Sequence, residues 1–90
     1  MDRKQRIEAR LRDVFAPAQV AVDDDSARHA GHAGAGAGGE THYRVRVVSP
    51  RFQGLSRVAR HRLVFDALTG EFAGGLHALT IEAVVPEPAA

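Results

Sequence analysis

The chain has 90 residues, 44% of them hydrophobic, and a formal net charge of +1. This bounds it to one domain with a small core, because a chain of this size buries only roughly 60–65% of its unfolded surface. The near-neutral balance gives no global pull toward nucleic acid or membrane. The absence of cysteine excludes disulfides, thiolate ligands and cysteine nucleophiles from this chain.

The first ten residues, MDRKQRIEAR, lack the apolar core of a secretion signal, and no stretch reaches the ~20 apolar residues of a membrane span. A cytoplasmic location is the default expectation. Charge is uneven: Asp23–Asp25 are acidic, whereas Arg44, Arg46, Arg51, Arg57, Arg60 and Arg62 make the middle basic.

Asp2 to Phe15 is predicted to be a helix. Asp2, followed three residues later by Gln5, has the form of a capping box. Ile7, Leu11, Val14 and Phe15 make a single apolar stripe. Pro17 stops the helix by disfavouring α geometry at Ala16. Gln19 to Asp23 alternates and reads as a short strand. A flexible glycine, alanine and histidine loop follows, from Asp24 to Gly39; its glycines make an ordered helix costly. Glu40 to Ser49 is the clearest strand, with Tyr43, Val45 and Val47 alternating against His42, Arg44 and Arg46. The two strands are expected to pair antiparallel.

A helical crossover comes next, with Ser56 able to cap a helix to Leu68 and a further turn over Thr69–Phe72. At roughly 100° per residue, Val58, His61, Phe65, Leu68 and Phe72 fall on one predicted apolar face. Gly70, Gly74 and Gly75 break the pattern. Leu76 to Val84 is a strand opening on His77, and its crossover connection predicts a parallel partner. Pro86 and Pro88 end it, leaving residues 87–90 as a tail. The expected fold is α+β in the order α-β-β-α-α-β, a three-stranded mixed sheet with helices on one face and Arg44 and Arg46 on the other. The domain spans residues 1–86.

Four segments, in this order and spacing, resemble the BolA family: DDS at Asp24–Ser26, GETHYRVRVVSPRFQG at Gly39–Gly54, RHRLVF at Arg60–Phe65 and LHALTIEAVVP at Leu76–Pro86. The resemblance implies a class II KH-like fold, in agreement with the order above. It also implies a monothiol glutaredoxin as partner. The two would form a heterodimer from a BolA-like monomer and share a [2Fe–2S] cluster with glutathione, held through histidine. The family's C-terminal ligand matches His77. Its second ligand lies in the loop between the first two strands, where the S-x-x-H pattern gives His29; this loop carries a second histidine, His32, and either can take the role.

Chemically, a neutral imidazole donates a nitrogen lone pair to iron, and replacing thiolate by histidine makes a cluster site less negative. The glycines around His29 and His32 would let one of them swing toward His77 when a partner presents a cluster. Their H-x-x-H spacing also suits zinc or nickel, although structural zinc prefers four defined ligands. His61, central on the predicted apolar face, is expected to play a structural role, its ring donating to a buried carbonyl. His42 is expected on the polar side of its strand with no special role.

The second functional class is a DNA-binding transcriptional regulator, a role also attached to the family together with stress response. It would use Arg57, Arg60 and Arg62 against phosphates and base edges. The G-x-x-G loop by which KH domains clamp single strands is missing between the helices. Catalysis is not expected: no zinc-protease, Walker or dinucleotide motif is present, and a loop-borne Ser26 and His29 lack the rigid convergence of a triad.

Overall fold

The computed structural model describes residues 1–24 and 42–87. Helix α1 (Arg3–Phe15) is followed by strand β1 (Gln19–Asp24), strand β2 (His42–Val48), a 3₁₀ turn (Pro50–Phe52), helices α2 (Arg57–Ala67) and α3 (Thr69–Ala73), and strand β3 (Ala78–Val84). This is the expected α+β order, with the 3₁₀ turn as an addition. Asp24, expected to open the glycine-rich loop, instead closes β1 opposite Tyr43; the rest of that loop, with His29 and His32, lies outside the described residues, as do Glu40, Thr41 and positions 88–90 of the expected tail.

The sheet order is β1-β2-β3. β1 and β2 run antiparallel, with Val22 opposite Val45 and Asp23 opposite Arg44. β2 and β3 run parallel, with Val45 opposite Ile81 and His42 opposite Ala78. Alternation then sorts the side chains. Tyr43, Val45, Val47, Ile81 and Ala83 are buried beneath the helices, while Arg44, Arg46 and Glu82 are exposed on the other face. There Arg46 and Glu82 stand 3.4 Å apart across neighbouring strands.

The capping box at α1 forms as its sequence predicts: Asp2 accepts from the Gln5 backbone, and the Gln5 side chain accepts from the Asp2 backbone. Ile7, Leu11 and Phe15 face the core, and the Phe15 ring lies 4.9 Å from that of Phe52. Ser49 ends β2 and is fully buried. Its hydroxyl donates to the Phe15 carbonyl at 2.7 Å and accepts from the Arg51 backbone at 3.1 Å, while its own N–H donates to the Val84 carbonyl at 2.9 Å. One small residue therefore joins α1, the 3₁₀ turn and the ends of two strands. Gly54 closes the following turn at φ 76°, in the left-handed region that side chains disfavour.

Helix α2 is capped by Ser56 as expected, its hydroxyl accepting from Ala59 at 3.1 Å. Its buried face matches the predicted one only at its C-terminal end. Leu68 is buried and Phe72 packs against the core as expected, but Val64 is buried in place of Phe65, with Val58 66% and Phe65 40% exposed. The helix is rotated by about one residue from the hydropathy stripe because Arg60 lies on the inward seam. Its stem is partly buried, and its guanidinium leaves the core to donate to the Leu55 carbonyl at 3.0 Å and the Ala83 carbonyl at 3.2 Å. An arginine that packs through its methylenes is invisible to a pattern built on polarity. Phe65 instead stacks on Phe72, at a centroid distance of 5.3 Å.

Candidate functional site

The route into β3 decides where His77 stands. Glu71 of α3 is held by two arginines of α1, with Arg3 Nε at 3.1 Å and Arg6 Nε at 3.0 Å. The Arg6 hydrogen bond holds the Glu71 carboxyl below its ordinary range, against the opposing effect of desolvation; Arg3 adds to the lowering. Arg3 also donates to the Gly74 carbonyl at 2.7 Å. Gly75 then turns the chain at φ 118°, and Leu76 drops into the core while its N–H donates to the Glu71 carbonyl at 3.0 Å. The next side chain, His77, emerges exposed. A buried leucine on one side and a paired strand on the other thus set the backbone of an open imidazole. The strand itself begins at Ala78, one residue after His77.

Parallel pairing supplies a neighbour that the sequence did not single out. His42, the first residue of β2, lies opposite Ala78 in register, and its ring centroid is 6.2 Å from that of His77 with the planes at 74°. His42 is half-buried and His77 exposed. These two imidazoles are far apart in the chain, and only the β2–β3 register brings them together. Spacing along the sequence carries no sign of it.

The remaining sequence-predicted residues do not converge on this end. His29 and His32 lie outside the described residues. His61 is half-exposed on the rim of the groove lined by Arg57, Val58, Arg62 and Phe65, and no buried carbonyl receives its ring. Its assignment as a core anchor is corrected by the rotation of α2. Arg57 and Arg62 are exposed, but Arg60 is committed to two backbone carbonyls. The three arginines are therefore not an equivalent phosphate-facing set. Among the described residues, no three histidine, aspartate or glutamate side chains form a metal-holding group.

Residues 11–88 match the family described as BolA-like protein. The chain belongs to the BolA-like family. This BolA-like chain is 48% identical over 88 residues to SufE-like protein 1, chloroplastic/mitochondrial, of Arabidopsis thaliana, covering 93% of this chain and 24% of that protein. It thus corresponds to about a quarter of that relative's length. It is 45% identical over 84 residues to the UV-induced protein uvi31 of Schizosaccharomyces pombe, covering 90% of this chain and 82% of the relative. Among solved structures it is similar to the BolA domain of SufE1 from Arabidopsis thaliana, with a TM-score of 0.85 and 45% identity over 96% of this chain and 94% of the other. That plant relative is named for the chloroplast and the mitochondrion. Among the described residues, no helix is long and apolar enough to cross a membrane.

Proposed function

We propose that this chain is a non-enzymatic BolA-type adaptor that binds a monothiol glutaredoxin and co-ligates a [2Fe–2S] cluster through His77. The observation that carries the reading is the placement of His77: an exposed imidazole on a backbone fixed by Leu76 and β3. The donor chemistry fits a shared cluster. This chain has histidines and no cysteine, so it offers imidazole nitrogen, while the partner and glutathione supply thiolate sulfur. The cluster, when bound, supplies a redox-active iron centre for trafficking or iron regulation. The chain's part is to hold the His77 nitrogen at an accessible edge, with His29 or His32 as the second donor.

The deciding measurement is visible circular dichroism of a cluster-loaded monothiol glutaredoxin with glutathione, titrated with this chain. A new spectrum saturating near one-to-one, lost in His77→Ala, is the expected result. An unchanged spectrum at every ratio would overturn the adaptor reading. The DNA-binding alternative gains no specific observation, since Arg60 is already engaged by the fold.

A further inference from the structure

We propose that His42 and His77 form a two-histidine site through which the chain alone takes up a borderline divalent transition-metal ion, of the class of zinc, nickel or copper. The inference rests on the β2–β3 register and does not depend on a glutaredoxin partner.

Geometry comes first. With metal–nitrogen bonds near 2.1 Å, two imidazoles on one ion have centroids about 5.2 Å apart in a tetrahedral arrangement and at most about 6.4 Å apart when opposed. The observed 6.2 Å lies within that limit. Reaching the tetrahedral value requires the rings to approach by about 1 Å. His77 is exposed, so its ring can turn without displacing core atoms. His42 is half-buried at the start of a paired strand, which makes it the fixed donor. At the observed 74° edge-to-face angle one ring turns its face rather than an in-plane nitrogen toward the other, so uptake of the ion requires the exposed His77 ring to turn until both lone pairs point at it.

Ligand type comes second. Imidazole nitrogen suits zinc, copper and nickel and is a poor match for calcium or magnesium, which prefer oxygen. The nearest cation along β2, Arg44, lies opposite Asp23 on β1, so a carboxylate offsets its charge beside the site. With two protein donors, water fills the remaining positions. That makes the site exchangeable rather than structural. The pairing works because the β2–β3 ladder opens at His42 and Ala78, immediately after His77, and so keeps the two donors close, so that the second bond follows the first at reduced entropic cost.

The test uses the full chain without glutaredoxin. Zinc chloride is titrated in while NMR follows the histidine side-chain nitrogens, and calorimetry gives the affinity. The expected result is one-to-one saturation with the His42 and His77 signals moving together and His61 unmoved. His42→Gln and His77→Ala should each weaken binding about tenfold or more, and the double variant little further, as a shared ion requires. The amide spectrum of His42→Gln checks that the fold is kept. Shifts confined to His29 and His32, or undiminished affinity in His42→Gln, would overturn the site. So would an absence of binding at millimolar zinc. If cluster spectra with glutaredoxin still depend on His77 after such a failure, the adaptor reading stands and the paired site alone is lost.

Discussion

The two ends of the sheet are built on opposite plans. At the end where β2 and β3 finish, Ser49 is fully buried and bonds to α1, the 3₁₀ turn and β3, while Phe15 and Phe52 pack against each other below it. At the end where those strands begin, His42 and His77 present two imidazoles, one half-buried and one exposed. The closed end contributes stability and offers no chemistry. The open end contributes donors and little packing. Small domains have few residues with which to do both, and here the tasks are separated by one strand length.

Substitutions should separate these plans by their cost to stability. Phe52→Ala, at the closed end, should destabilise most, by about 3–4 kcal/mol, because it removes a fully buried ring and leaves a cavity; urea denaturation reads this directly. Ser49→Ala should cost about 2 kcal/mol, since it strands the buried Phe15 carbonyl without its donor.

Glu71→Gln should cost about 1 kcal/mol at neutral pH, the scale of a partly exposed ion-pair network. Its folded-state pKa is depressed from the ordinary 4.5, so the stabilisation is fully present above that value and is lost as pH falls through the folded pKa. Thermal melts of the unchanged chain and the variant should therefore converge in acid; a constant gap at all pH values would refute the assignment. His77→Ala should have the smallest effect on stability, within about 0.5 kcal/mol for an exposed side chain, yet abolish the cluster-dependent dichroism with glutaredoxin. A large loss of stability in that variant would collapse the distinction between the ends.

Legibility in the sequence followed the same division. The capping box at Asp2 and Gln5, the alternation through Tyr43, Val45 and Val47, and the Ser56 cap are local signals, and each led to the element observed. Hydropathy misplaces part of the face of α2 because Arg60 enters the seam through its aliphatic stem, which polarity hides. His77 was singled out through the LHAL segment and its strand entrance. Nothing local marks His42, because its neighbour His77 is brought beside it by a register between strands distant in sequence. Periodicity shows which face a residue takes; it does not show which residue of another strand will stand beside it.

The contact from Arg60 to the Ala83 carbonyl bears on how the molecule behaves in a crowd. β3 is an outer strand, and consecutive residues turn their backbone groups to alternate sides; Val84 turns inward to receive the Ser49 N–H, so Ala83 turns its carbonyl outward. Unprotected carbonyls of this kind are templates for a strand from another molecule. The guanidinium occupies that acceptor and sets a positive charge at the rim. A neighbouring chain adding there would have to displace it. Arg60 thus covers one acceptor of the outer edge of β3.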